Sequence, residues 1–153
     1  MYKRPIIPAG FIPPPRMDGV GFHLRMLTIH DVVKDFDAVM AAGTRLHGVT
    51  EPDSTRPDSL TLEENLIDLA WHQREFTIGH SFAYTVMNHD ESRCLGCCYI
   101  NPSDWPGHDV VALYWARDPA MDARIGAAFR TLVAQFPFRH MTYMGRDQPW
   151  PAD

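Results

Sequence analysis

The segment VVALYWARDPAMDARIGAAFRTLVAQF, residues 110–136, joins a short apolar run to a helical pattern through a single turn. Apolar residues on both faces of Val110–Ala116 predict a strand in the middle of a covered sheet. Asp118 before Pro119 predicts the start of a helix, and Asp122 is a second candidate for its cap. The helix is predicted from one apolar stripe, formed by Ile125, Phe129, Leu132, Val133 and Phe136. The segment therefore combines a strand with a crossover helix.

Four more strands are predicted around this segment. Residues 22–27 alternate apolar and polar side chains, and residues 81–87 are rich in aromatic and β-branched side chains. Residues 94–100 return from a hairpin turn at 88–92. Residues 140–144 form a short final strand after the crossover helix.

Two helices are predicted between the first and second strands. The first begins after Thr28 or Asp31 as its cap, and Gly43 is placed to end it. Its predicted apolar stripe is Val32, Phe36, Val39 and Met40. Thr61 and Glu64 have the spacing of a capping box, which opens the second helix. The predicted apolar positions of that helix are Leu66, Leu69, Ala70 and Phe76.

The resulting order, β-α-α-β-β-β-α-β, predicts an α+β fold with a mixed, mostly antiparallel sheet flanked by helices. The length of 153 residues indicates a single domain. Five prolines among the first fifteen residues predict a proline-rich N-terminal arm over residues 1–20. The domain proper is expected to cover residues 21–153.

Composition and charge exclude several classes of protein. The net charge of −5 disfavours binding to nucleic acid, because both carry negative charge. The longest apolar runs are far shorter than the ~20 residues that a membrane helix needs, so no membrane partner is predicted. Three cysteines do not indicate a disulfide framework, and the N-terminus lacks the apolar core of a signal peptide. We therefore expect a cytoplasmic protein.

Cys94, Cys97 and Cys98 raise the question of a metal site, since C-x-x-C is half of a zinc knuckle. No second cysteine pair exists in the sequence, and the histidines show no ligand spacing. Strand alternation places Cys94 and Cys97 on opposite faces, and Cys94 and Cys98 on the same face. We therefore predict no metal and interpret the cysteines as small core residues.

The turn before the crossover helix has a physical mechanism for binding an anion. Its backbone N–H groups and the positive end of the helix dipole favour negative charge. Arg117 and Arg124 flank the turn and can add charged hydrogen bonds to a phosphate. The alternative is an ordinary crossover with two solvated arginines. The sequence has no nucleophile elbow of the kind that many hydrolases use. It also has no Walker loop with its lysine, so ATP-driven phosphoryl transfer is not indicated.

Over about residues 22–146, the chain resembles the GNAT superfamily of N-acetyltransferases. The similarity lies in the order of elements and in four stretches, which are also similar to bacterial GNAT-like proteins: TLEENLIDLAWHQREF, SFAYTVM, CLGCCYINPSDW and ALYWARD. The resemblance implies a V-shaped opening between the strands at 110–116 and 140–144 that receives acetyl-CoA as co-substrate. Pantetheine would pair with the backbone of Leu113, Tyr114, Trp115, Ala116 and Arg117. The pyrophosphate would bind the turn and helix that follow, at Asp122, Ala123, Arg124, Ile125 and Gly126.

The sequence departs from the family's pyrophosphate loop, Q/R-x-x-G-x-G/A. The corresponding residues are 121–126, of which the final Gly126 matches. Met121 stands where Gln or Arg is expected, Arg124 replaces the first glycine, and Asp122 adds negative charge. We therefore expect a divergent, C-terminally short member of the superfamily.

The sequence does not assign the catalytic base and acid. The resemblance implies a glutamate base on the strand at 110–116 and a tyrosine acid on a fourth helix, and the sequence has no counterpart of either before Asp153. Asp109 is the nearest carboxylate to the strand. Tyr114 and Tyr143 are the neighbouring tyrosines.

The resemblance implies transfer of an acyl group, acetyl first of all, from acyl-CoA to a small amine by direct attack on the thioester. By the same analogy, the loop at 48–60 and the helix before Gly79 line the acceptor side. The alternative is a catalytically inactive module of this fold that binds a ligand or partner. The final strand is expected at a sheet edge, covered by the arm, by the tail at 149–151 or by a second subunit in a homodimer.

Overall fold

Six strands form one sheet in the part of the chain that the computed structural model describes, residues 4–51, 53–104, 106–138 and 141–143. Their order in the sheet follows their order in the chain. Neighbours are antiparallel except the last two, which are parallel. The strands are β1 (Arg16–Asp18), β2 (His23–Met26), β3 (Phe82–Met87), β4 (Cys94–Pro102), β5 (Val110–Ala116) and β6 (Met141–Tyr143).

Three α-helices cover the two faces of the sheet in the described residues. α1 (Val32–Ala42) and α2 (Leu62–Thr77) supply one buried cluster, and α3 (Asp122–Val133) packs into the other. The capping box of α2 is present, since Thr61 and Glu64 each accept the backbone N–H of the other. Gly43 ends α1 with φ +56°, a conformation that glycine adopts without strain. The predicted α+β order is therefore confirmed, with β1 added before the first predicted strand.

The cysteines do not alternate as an unbroken strand would require. Cys94 and Cys97 both lie in the cluster under α1 and α2, whereas Cys98 lies in the cluster under α3. The predictions that Cys94 and Cys97 lie on opposite faces and that Cys94 and Cys98 share a face are both wrong. Adjacent residues of β3 pair with Gly96 and Cys94 and leave Leu95 as an extra residue. Such a bulge reverses the alternation beyond it. All three cysteines are buried, free thiols.

The buried face of α1 differs from the predicted stripe. Met40 is 47% exposed, and Asp35 takes a place in the interior instead. The buried residues of the helix are Asp35, Ala38, Val39 and Ala42. An acidic side chain therefore occupies a position on the buried face of the helix, between Val32 and Val39.

The face of α2 is displaced in the same way. Leu66 is 40% exposed and Ala70 is exposed, although both were predicted in the apolar stripe. The buried positions are Asn65, Leu69 and Glu75. Asp35 of α1 and Asn65 of α2 thus meet on the same side of the sheet, where they are joined by a hydrogen bond.

The N-terminal segment lies along the domain and joins the sheet at the β2 edge. Ile6 N–H donates to the Gly79 carbonyl at 2.9 Å, and the Phe11 ring lies 5.4 Å from that of Phe136. The Tyr84 hydroxyl donates to the Pro14 carbonyl at 2.8 Å. β1 then pairs with β2, at the opposite edge from β6. The tail at 149–151 lies outside the described residues.

Candidate functional site

β5 extends beyond the end of its described pairing with β6. The parallel pairing runs from Val110 with Met141 to Ala112 with Tyr143, and β5 continues to Ala116. On its other side, β5 pairs with β4 along its whole length. In the described residues, β6 therefore accompanies only the first half of β5.

The main-chain groups in the second half of β5 alternate in direction. Arg117 N–H donates to the Leu95 carbonyl at 2.8 Å, so the peptide of Arg117 faces β4. Because these groups alternate along an antiparallel strand, those of Leu113 and Trp115 also face β4. The main-chain groups of Tyr114 and Ala116 point to the side on which β6 lies.

A short 3₁₀ turn, Pro119–Met121, connects β5 to α3. The Asp118 carboxylate accepts the Ala120 N–H at 2.9 Å and caps this turn. α3 itself begins at Asp122 with Met121 at its N-cap position and without a side-chain cap, so the alternative prediction that Asp122 caps the helix is wrong. The strand, capped turn and helix form the geometry predicted for anion binding.

The charges around this turn are arranged differently from the expectation. The Arg117 guanidinium is directed to α1, where Nη1 lies 2.5 Å from Asp37 Oδ2. Arg124 is exposed, with its guanidinium against the Met121 sulfur. Arg117 is therefore paired with a carboxylate of α1, and Arg124 contacts the side chain of Met121 in the turn.

Arg45 is a third cation at the turn, contributed by the connection between α1 and α2. Its Nη1 donates to the Arg117 carbonyl at 3.0 Å, and its Nη2 lies 3.8 Å from Asp122 Oδ1. Burial raises the pKa of Asp122, and Arg45 opposes this rise. Sequence reasoning missed Arg45 because 72 residues separate it from Arg117.

Gly126 allows α3 to approach β5. A Cβ atom at this position would lie 2.5 Å from the Tyr114 hydroxyl oxygen. That hydroxyl donates to the Asp122 carbonyl at 3.1 Å. Of the other predicted pyrophosphate residues, Ala123 is exposed and Ile125 is buried in the core.

The candidate catalytic residues lie on different parts of β5 and β6. Asp109 is exposed and immediately precedes β5. The Tyr114 hydroxyl is bonded to the start of α3. Tyr143 pairs through its main chain with Ala112.

A cavity of about 320 Å³ lies between α1, α2, the loop that follows α1, and the strands β4 and β5. We call it the helix-side cavity. Residues 49–51 and 56 contribute to its wall, together with the middle of α2. These segments are among those that the resemblance assigns to the acceptor side. Its polar and aromatic lining includes Asp35, Arg56, Asn65, His72, Tyr99 and Trp115.

Asp35 is the most deeply buried acid of the helix-side cavity, with 3% of its surface exposed. Asn65 Nδ2 donates to Asp35 Oδ2 at 2.8 Å, and Arg56 Nη2 donates to Asn65 Oδ1 at 3.1 Å. Arg56 also lies 2.5 Å from the Asp68 carboxylate. Burial raises the pKa of Asp35 to about 6, although the Asn65 hydrogen bond favours the ionised form.

Aromatic side chains form the wall of the cavity beside β5. The Trp115 indole N–H donates to the Tyr99 hydroxyl at 3.0 Å, and the His72 ring lies 5.2 Å from the Tyr99 ring. Burial lowers the pKa of His72 to about 4, so this ring is neutral at pH 7. Burial also raises the pKa of Tyr99 well above its usual value. Both groups are therefore uncharged in the cavity near neutral pH.

The described residues contain no group of three or more His, Cys, Asp or Glu side chains placed to hold a metal ion. None of their helices is both long enough and apolar enough to cross a membrane.

Comparison with known proteins identifies the architecture. No protein-family model matches the chain, and no curated protein matches it in sequence. Among solved structures, ribosomal-protein-S5-alanine acetyltransferase from Vibrio fischeri is similar, at 13% identity and TM-score 0.65 over 87% of this chain and 76% of that one. Mycobacterium smegmatis RimJ in complex with CoA-disulfide has 12% identity and TM-score 0.66 over 88% and 68%. A putative GnaT-family acetyltransferase from Bordetella pertussis has 11% identity and TM-score 0.63 over 88% and 81%.

The chain has the GNAT acetyltransferase fold. The predicted fold and the resemblance that implied it are therefore confirmed. Because identities of this size show the fold alone, the role of each site residue in this GNAT-fold chain depends on its own geometry and chemistry.

Sequence reasoning singled out the strand and turn of this GNAT-fold chain as a candidate site and missed the polar lining of the helix-side cavity. The strand and turn at 110–122 stand out by pattern. Asp35 and Asn65 did not, because each is a single polar residue within a helix. A polar residue at a position that the helical period places inside is the signal that was available.

Proposed function

We propose that the protein is an acyl-CoA-dependent N-acyltransferase that uses acetyl-CoA and acts on a small amine. The observation that carries the proposal is the position of Trp115. Its backbone belongs to the stretch of β5 assigned to the donor, and its indole lines the helix-side cavity. A donor along β5 and an acceptor in the cavity would therefore meet at one strand.

The donor side of the proposal rests on β5 and the turn after it. The main-chain groups of Tyr114 and Ala116 are directed toward the side on which pantetheine would lie. The capped turn and the first residues of α3 would hold the pyrophosphate, with Arg45 and Arg124 nearby. The complex of RimJ, a protein of the same fold, with CoA-disulfide supports a CoA-based donor.

The chemistry requires few catalytic groups. The neutral amine attacks the thioester carbonyl, a C–N bond forms, the C–S bond breaks, and the CoA thiolate leaves. A backbone N–H of β5 would stabilise the developing oxyanion. Holding the two reactants in line can contribute ~7–11 kcal/mol to the barrier reduction.

A second candidate function, a non-catalytic binding module of this fold, is favoured by one observation. The turn carries the carboxylates of Asp118 and Asp122, and the Arg117 guanidinium is held by Asp37. These features weaken the attraction of the turn for a diphosphate. Such a module would bind its ligand in the helix-side cavity without transferring an acyl group.

Thermal unfolding with and without acetyl-CoA distinguishes these functions at the binding step. A ligand at 100 times its dissociation constant stabilises the folded state by about 2.7 kcal/mol. We expect a rise in Tm with acetyl-CoA, and release of free thiol when a panel of small primary amines is added. Absence of any rise at millimolar acetyl-CoA would refute the transferase. A rise without thiol release across the panel would favour the binding module.

A further inference from the structure

The helix-side cavity is acidic at its wall. Its described lining includes the carboxylates of Asp35, Glu51 and Asp68, against the guanidinium of Arg56. Arg56 is already engaged by Asp68 at 2.5 Å and by Asn65 at 3.1 Å. A positively charged ligand therefore matches the charge of this cavity better than a neutral or anionic one.

Among the described residues, no cation contacts Asp35 directly, although buried carboxylates are usually paired with one. Asn65 stands between Asp35 and Arg56 and bonds to both, so the hydrogen bond that Asp35 accepts in the described structure comes from a neutral amide. The charged and titratable groups that face Asp35 come from several elements: Asp31 before α1, Arg56 in the loop, Asp68 on α2, and Cys94, Cys97 and Tyr99 on β4.

We propose that Asp35 binds the ammonium group of the acceptor and removes one of its protons before acyl transfer. This inference rests on the proposed function and names the substrate class: a primary amine that enters as its ammonium ion. The walls formed by Tyr99, Trp115 and the neutral His72 ring suit a short apolar or aromatic body. The volume of about 320 Å³ is at the small end of ligand pockets, as a small acceptor requires.

The proton balance closes without another reactant. The ammonium transfers one proton to the Asp35 carboxylate, which leaves the neutral amine and a protonated Asp35. After the amine attacks the thioester, the nitrogen loses its second proton to the departing CoA thiolate. Asp35 then returns its proton to solvent when the product leaves. Burial favours this exchange, because it lowers the pKa of an ammonium group and raises that of a carboxyl group.

A titration of the Asp35 carboxyl group by ¹³C NMR tests amine binding without requiring catalysis. The probes are 2-phenylethylamine and its neutral counterpart 2-phenylethanol, each added to the wild-type protein. We expect the amine to shift the titration of Asp35 to lower pH, because a bound cation favours the carboxylate. The alcohol should leave the midpoint in place. An Asp35 titration that the amine does not move would overturn the proposal.

The catalytic part of the inference is tested with Asp35→Asn, which keeps the shape of the side chain and removes its charge. We expect kcat/KM for 2-phenylethylamine to fall roughly 100-fold near neutral pH, with less loss at high pH where free amine is abundant. Glu63→Gln, an exposed change on α2 outside the cavity, is the matched control. An Asp35→Asn protein with unchanged kcat/KM and pH profile would refute the role of Asp35.

The acetyl-CoA measurement separates this inference from the proposed function. The Asp35→Asn variant should keep the full acetyl-CoA-induced rise in Tm, because Asp35 lies in the cavity and away from the crossover turn. Absence of that rise in the wild type would refute acyl transfer, whereas a shifted Asp35 titration in the same protein would still support the amine site.

Discussion

Asn65 and Asp35 join α2 to α1 through a single hydrogen bond of 2.8 Å, and both side chains are buried. The Asn65 amide donates one hydrogen bond to the Asp35 carboxylate but does not neutralise its charge. A buried charge that is not neutralised costs free energy. The contact therefore positions Asp35 in the cavity at the expense of stability, a trade that is common at functional sites.

Asp35→Asn is expected to stabilise the protein at pH 8. The pKa of Asp35 rises from 3.8 to about 6 on folding, so ionisation opposes folding and stability falls as the pH rises through this range. Removing the charge should raise the free energy of unfolding by roughly 1–3 kcal/mol at pH 8. Urea denaturation measures the gain.

The same comparison at about pH 4 is the internal control, because Asp35 is then mostly protonated in the folded protein. The two proteins should differ there by no more than about 0.5 kcal/mol. Glu63→Gln, which removes an exposed charge, should show no such pH dependence. A variant that is less stable at pH 8 would contradict the assignment of Asp35 as a costly buried charge.

The sequence predicts the helices and strands well because their signals are local. The capping box of Thr61 and Glu64, the glycine stop at Gly43 and the apolar run Val110–Ala116 each act within a few residues. All three appear in the structure where they were predicted. Local hydrogen bonding and steric preference are sufficient to place these features.

The faces of the helices and the site depend on contacts between distant segments. A hydrophobic pattern assigns Met40 and Leu66 to the core, yet the helices turn Asp35 and Asn65 inward to line the cavity. Arg45 reaches the crossover turn from another loop. The helical period can place a polar residue inside, but it does not show which distant residue that polar group will contact.

Glu91 connects the β3–β4 turn to β2 and supports a prediction about acid stability. Its carboxylate lies 2.6 Å from Arg25 Nε and 2.5 Å from His23 Nε2, and Arg25 also binds Asp31 through two hydrogen bonds. The Arg25 hydrogen bond is the main cause that lowers the pKa of Glu91 to about 2. The contribution of Glu91 is therefore present above pH 4.5 and is lost as the pH falls from about 4.5 to about 2.

Glu91→Gln is expected to reduce the free energy of unfolding by about 1–2 kcal/mol at pH 7, since charged hydrogen bonds are replaced at a partly exposed site. Chemical denaturation across the acid range should show the difference shrinking toward pH 2. Asp104→Asn, an exposed carboxylate in the β4–β5 turn, is the control. A Glu91→Gln effect that stayed constant from neutral to acid pH would rule out an electrostatic origin.

Gly126→Ala is expected to destabilise the protein by about 1–3 kcal/mol, because the new methyl group overlaps the Tyr114 ring. This sign is opposite to the usual gain of a glycine-to-alanine change within a helix. The double variant with Tyr114→Leu removes the overlap. In a double-mutant cycle measured by urea denaturation, the coupling should exceed about 1 kcal/mol. Simple additivity would show that Gly126 does not set the approach of α3 to β5.

Arg45→Glu and Arg124→Glu test whether the crossover turn holds the diphosphate of CoA. Each reversal should weaken CoA binding by more than about 1.5 kcal/mol, the low end for a charged hydrogen bond. Calorimetric titration measures this, and raising the salt concentration should narrow the difference from wild type. Arg74→Glu makes the same charge change on the exposed side of α2. If all three variants bind CoA as tightly as the wild type does, then neither Arg45 nor Arg124 contacts the diphosphate, and the turn loses its assigned role.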